Sequence, residues 1–121
     1  MGDNSQSFEK LEVWQRSKDL AVEVCRMMQT WRDFALRDQM GRSAVSIPSN
    51  IAEGAERLSK AEFRQFLGYA KGSAGELRTQ IVIASELGLL PPPVAERMKD
   101  ELIQISRMLH GLIRSMSPTE K

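Results

Sequence analysis

Few residues of this chain could do chemistry, and they do not form a set. There is one histidine, His110, and one cysteine, Cys25. A zinc or di-iron centre needs several imidazole, thiolate or carboxylate ligands on converging faces. Glu53 and Glu56 are carboxylates at helical spacing, but the Glu-x-x-His pattern of di-iron bundles is missing, so no metal and no cofactor is expected. A single cysteine closes no internal disulfide. Cys25, between Val24 and Arg26 at the border of an apolar stripe, reads as a packed, inert thiol. Nucleophilic catalysis needs a Ser or Cys within reach of a base, and the one imidazole would have to serve. Ser7-Phe-Glu-Lys10 has Ser-x-x-Lys spacing without the companion motifs that give it meaning, and Gly68, Gly72 and Gly75 fall inside a helix rather than in a phosphate-cradling loop ahead of one. The expectation is a protein that is not an enzyme.

Binding chemistry remains. Arg64, Lys71 and Arg78 recur every seven residues and form a row about 110° to one side of an apolar stripe, counting 100° per residue. Lys60 extends the row, Gly68 and Gly75 lie between its members, and no carboxylate falls in it. Such a row could hold phosphates or a partner's acidic helix face, or be a solvated flank; Arg42 and Arg57 are the further cations expected to join it. Tyr69, Gly72 and Ile83 lie on the far side of the same helix, with Val82 nearer the basic row. Apolar residues outside a core stripe predict a helix covered on more than one side, hence an oligomer interface. A third set is polar: Ser46, Asn50, Glu53 and Arg57 on one segment, which Ser73 and Glu76 on the next could satisfy. It reads as a network that fixes helix register, or as a ligand pocket.

The elements that must position these residues are helices. The chain has 121 residues, enough for one domain over 1–121. From Leu11 to Trp31 the apolar positions Val13, Leu20, Val24, Met27 and Trp31 recur at threes and fours. A second segment carries Met40, Ala44, Ile47 and Ile51 but contains Pro48, where a kink or a break is expected. The third opens on the capping box Ser59-Lys-Ala-Glu62, holds Phe63, Phe66, Leu67, Ala70, Ala74, Leu77, Ile81 and Ala84 in one stripe, and stops at Gly88, a left-handed C-terminal residue. Pro91, Pro92 and Pro93 turn the corner into the strictest repeat, Ala95, Met98, Leu102, Ile105, Leu109, Leu112 and Met116. The spacing predicts helices near 10–31, 36–56, 60–88 and 92–115, with frayed ends at 1–8 and 117–121. Short turns between four helices predict an all-α, up-down-up-down antiparallel four-helix bundle, kinked at Pro48.

Seventeen Lys and Arg against sixteen Asp and Glu leave a net charge of +1, without the basic excess typical of nucleic-acid-binding domains. The start has no signal-peptide pattern and no run of about 18 apolar residues occurs, so a cytoplasmic, soluble protein without membrane partners is expected.

Several of these residues together carry a resemblance. Val13-Trp14-Gln15, the run Ser43-Ala-Val-Ser-Ile-Pro-Ser-Asn-Ile-Ala-Glu-Gly54, Arg57, Phe63-x-x-Phe-Leu-x-x-Ala70, Gly72-Ser73 and Glu76-Leu77 resemble the four-helix bundle family named for intervening sequences in 23S ribosomal RNA genes, from Phe8 to about Ser115. The resemblance implies a bacterial bundle that assembles as a ring-shaped homopentamer, with no known catalytic activity. A related branch, the accessory variability proteins of diversity-generating retroelements, implies binding of a reverse transcriptase and nucleic acid through a basic surface. The sequence departs from the family pattern twice. Gly41-Arg42 stands where two arginines are usual, and the connection after Trp31 is shorter. Both departures, with the near-neutral charge, favour a homo-oligomeric interaction scaffold over an accessory nucleic-acid-binding protein.

Overall fold

In the computed structural model, which describes residues 8–117, four helices pack against one another and no strand occurs among the described residues. Ser7 of the Ser-x-x-Lys spacing lies outside the described residues. Helix α1 spans Glu12–Met27, shorter than the periodicity predicts. The chain then tightens into a 3-10 turn over Met28–Thr30. Residues three apart eclipse in such a turn, so Met28 and Trp31 stay on the core side, both buried, although the α-helix has ended. Phe8 and Ser117, expected in the frayed ends, are held. The Phe8 ring packs edge-on against Trp14 at 5.4 Å, and Ser117 N donates to Arg114 O at 3.1 Å.

Helix α2 spans Phe34–Ala55 and begins two positions before the predicted start at 36, because Asp33 is its N-cap and accepts from Leu36 N at 3.0 Å. Pro48 sits inside α2 without breaking it. Its ring is buried, so packing holds the segment helical although the Ala44 carbonyl loses its usual donor. Helix α3 spans Lys60–Glu86. Ser59 caps it as the motif predicts, accepting from Glu62 N at 3.1 Å. Its end is a Schellman turn: Gly88 has φ +78°, Leu89 N donates to Ala84 O at 2.9 Å and Gly88 N to Ser85 O at 3.0 Å. Helix α4 spans Pro92–Ser115 with proline in its first turn.

The directions alternate. Arg16 meets Glu101 and Glu23 meets Arg97, so α4 runs down as α1 runs up. Ser46 meets Ser73, while Gly54, later on α2, abuts Phe66 and Phe63, earlier on α3. Arg64, near the start of α3, reaches Met116 at the end of α4. The core is mainly apolar, with Val24 from α1, Met40, Ile47 and Ile51 from α2, Leu67, Leu77 and Ile81 from α3, and Met98, Leu102, Ile105 and Leu109 from α4 all fully buried; Ser17 is buried with them and donates to Trp14 O at 3.1 Å. Each of the large ones contributes about 1.5–3 kcal/mol relative to exposure.

Helix α3 packs most extensively, against both α2 and α4, whereas α1 meets α4 along a narrow seam. Ion pairs bridge that seam. Arg16 forks onto Glu101, Nη2 to Oε1 at 2.6 Å and Nε to Oε2 at 2.9 Å, and also donates to Gln104; Arg97 pairs with Glu23. The Arg16 hydrogen bonds hold the Glu101 carboxyl below the usual carboxylate range, outweighing the opposing effect of its partial burial.

Candidate interaction surface

Between α2 and α3 the predicted polar network forms in two separate pieces. Ser46 Oγ and Ser73 Oγ are 2.8 Å apart, and Asn50 Nδ2 donates to both Ser46 O and Ser46 Oγ at 2.9 Å. One turn further on, Arg57 pairs with Glu53 at 2.7 Å, lies 3.8 Å from Glu62, and stacks its guanidinium 4.8 Å from the Phe66 ring centre. Glu76 joins neither piece. It is exposed and lines an open groove with Arg42, Gln80 and Ile83. Gln80 belongs to the same seam but was not singled out from sequence: its Oε1 is buried and has no hydrogen-bond partner among the described residues.

The six predicted cations do not share one surface. Arg57 stacks over Phe66 on the α2 side of α3, and Arg42, on α2, pairs with Asp38 at 3.1 Å. Arg64 lies on the opposite flank of α3, where its Nη1 donates to Met116 O at 2.8 Å and satisfies a carbonyl at the α4 C-terminus. Lys60, Lys71 and Arg78 are exposed and form no ion pair among the described residues. The signal that would have extended this flank is on α4. Arg107, His110 and Arg114 recur at i, i+3 and i+7, all three are exposed, and the antiparallel pairing sets the last turns of α4 beside the first turns of α3.

The outer face of α3 carries the residues predicted to meet another chain. Tyr69 is 49% and Ile83 45% exposed; Val82 is half-buried, on the flank toward α4. At Gly68, Gly72 and Gly75 a built Cβ would have nothing within 4 Å. Gly54 is the opposite case, since a Cβ there would come within 2.7 Å of Phe66 Cβ and 2.9 Å of Phe63 Cδ1. Cys25 corrects the expectation of a packed thiol: it is exposed, because the flank of α1 beyond Val24 opens onto a groove beside α2. Phe34, Val45 and Val22 on that side are exposed as well. No group of three or more His, Cys, Asp or Glu able to hold a metal ion occurs among the described residues.

The profile of the family described as 23S rRNA-intervening sequence protein matches residues 9–111. The chain belongs to that family. A crystal structure of a protein of unknown function from the S23 ribosomal protein family of Bacteroides thetaiotaomicron VPI-5482 superposes with a TM-score of 0.79 at 23% identity, covering 84% of this chain and 98% of that one. That likeness shows the shared helical fold. No curated protein matches the sequence. As a 23S rRNA-intervening sequence protein this is a small helical protein of a family without an assigned function, and none of its helices is long and apolar enough, over the described residues, to cross a membrane.

Proposed function

We propose that this protein acts as a homo-oligomeric interaction scaffold and carries no catalytic chemistry. The observation that carries this reading is the outer face of α3. A glycine inside an exposed helix costs about 0.8–1.0 kcal/mol relative to alanine, and α3 has three such glycines with nothing beside them among the described residues. They lie among exposed Tyr69 and Ile83. Bare backbone next to apolar side chains lets another surface come close, and the close approach compensates the lost helix propensity. Five copies in a ring is the number that the family resemblance implies. Light scattering at micromolar concentration tests the reading: a multiple of the 13.7 kDa chain mass is expected, and a particle of one chain mass overturns it.

An accessory role in nucleic-acid binding is the second reading. It is favoured by Lys60, Lys71 and Arg78, which form no ion pair among the described residues, on the flank of α3 that the last turns of α4 with Arg107, His110 and Arg114 adjoin, a surface that symmetry would multiply despite a net charge of +1. Binding measured by fluorescence anisotropy at two salt concentrations would then fall with a log-log slope near 0.9 per phosphate contacted on duplex DNA. Replacing Lys60, Lys71 and Arg78 with Gln would flatten the slope. Arg64 is kept, because its loss would uncap α4. Absence of saturable binding at low salt removes this reading and leaves the scaffold.

A further inference from the structure

The α1/α2 side of the bundle is open. A groove of about 1080 Å³ runs between the last turns of α1 and the first half of α2, at or above the upper end of the range of about 300–1,000 Å³ usual for small-molecule clefts. Its floor includes Met28 and the bare backbone of Gly41, and its edges carry Cys25, Phe34 and Val45. Phe34 is 69% exposed, a large apolar surface for the first turn of a helix. The rim is cationic. Arg37 and Arg42 line it, and the Arg37 guanidinium lies 5.0 Å from the Phe34 ring centre and donates to Trp31 O at 3.2 Å. Asp38 lines it too, already paired with Arg42.

We propose that this groove seats the outer face of α3 from a second copy of the chain, an assignment that rests on the oligomeric reading above and names its two contacting surfaces. Shape supports it. Tyr69 and Ile83 stand at i and i+14 on α3 with Gly72 between them, so the helix offers two apolar knobs separated by low backbone, the form that a helix laid into an apolar groove requires. Leu87, 61% exposed, continues the ridge. Charge supports it independently. The same α3 face carries exposed Glu76 and Glu86, neither of them ion-paired among the described residues, and they would meet the cationic rim. Groove against groove would oppose Arg37 and Arg42 to like charge, and ridge against ridge would oppose the two glutamates to their copies. Like-charge juxtaposition across an interface is strongly unfavourable. The two surfaces differ, so the contact is head-to-tail and propagates until a ring closes.

Cys25 is the chain's only thiol, and it is an exposed reporter in the groove. The test places a second thiol on the ridge, as Tyr69→Cys and Ile83→Cys in separate variants, and treats each with a short bismaleimide after its mass in solution has been measured by light scattering. A ladder of covalent dimer, trimer and higher species is expected for at least one variant, because every copy then bears both halves of a head-to-tail link. Wild type and a control with Asp100→Cys on the outer face of α4 should stay uncrosslinked, and adding Cys25→Ser should abolish the ladder. Oligomers by light scattering without a ladder in any ridge variant overturn the pairing and leave the scaffold reading standing. A wild-type dimer linked through Cys25, or an equal ladder from the Asp100→Cys control, also overturns the pairing. A particle of one chain mass overturns both.

Discussion

Gly54 and the glycines of α3 occupy helices that pack against each other, yet they do opposite things. At Gly54 the missing side chain is used within the chain: Phe66 and Phe63 fill the space, and an added Cβ would also lie 3.3 Å from the Phe63 carbonyl. At Gly68, Gly72 and Gly75 the missing side chains are used by nothing among the described residues. The polar groups follow the same division. Ser46, Asn50 and Ser73 satisfy one another in the closed part of the α2/α3 seam, whereas Glu76 and the buried Gln80 Oε1, further along it, have no such partners. A small residue is a packing device where a neighbour occupies its space. Where none does, as at Gly68, Gly72 and Gly75 among the described residues, the helix backbone stays bare, and the proposed interface would use it.

The largest effect expected from breaking this contrast is at the closed site. Gly54→Ala forces a methyl group against the two phenylalanines and should lower stability by about 1–3 kcal/mol despite alanine's better helix propensity, read as a drop in the urea midpoint at unchanged m-value. An equal or higher midpoint would mean that the seam can open at no cost, and the contrast would collapse. Ser46→Ala comes next. It removes the hydroxyl shared by Asn50 and Ser73 and should cost about 1 kcal/mol in the same measurement, with Asn50→Ala in the Ser46→Ala background costing less than it does alone.

The open site should respond with the opposite sign. Gly72→Ala meets no atom of the described residues, so in dilute conditions it should raise the stability of the helix by about 0.8–1.0 kcal/mol while weakening self-association by light scattering. A variant destabilised in dilute solution would place an intramolecular neighbour at Gly72. The smallest effect is expected at the α1/α4 seam. Arg16 holds the Glu101 carboxyl below its ordinary range, so the pair's stabilisation is fully present above the unfolded-state pKa of about 4.3 and is lost as pH falls through the lower, folded-state value. Glu101→Gln should therefore cost less than about 1 kcal/mol near neutrality, the pair being partly solvated. Urea midpoints of variant and wild type should converge as pH is lowered through that window.

What was legible in the sequence follows the same line between local and imported causes. The Ser59 cap, the left-handed Gly88 and the core stripes of α3 and α4 are set by residues within a turn or two, and the structure has them where the spacing predicts. The early end of α1 was hidden because a 3-10 turn keeps Met28 and Trp31 on one side at the same three-residue spacing as a helix. Asp33 does not stand out as a cap because the apolar repeat that locates α2, Met40, Ala44, Ile47 and Ile51, begins seven positions after it. Arg64 reads as one of a row of cations, but the Met116 carbonyl that engages it is 52 positions away, and only the antiparallel return of α4 brings the two together. The exposure of Cys25 likewise depends on how α2 sits beside α1. Phe34 and Val45 open that groove, and neither stands out in a helical repeat.

The central claim is that the outer face of α3 is covered by another copy of this chain. It is tested most directly by the solution mass of Gly72→Leu beside wild type, measured by light scattering at the same micromolar concentration. A leucine at position 72 has open space in the single chain but would hold a neighbouring surface away. The account predicts a wild-type mass at a multiple of 13.7 kDa and a Gly72→Leu mass of 13.7 kDa with helical content unchanged. Equal masses for the two proteins, whether one chain or several, would contradict it.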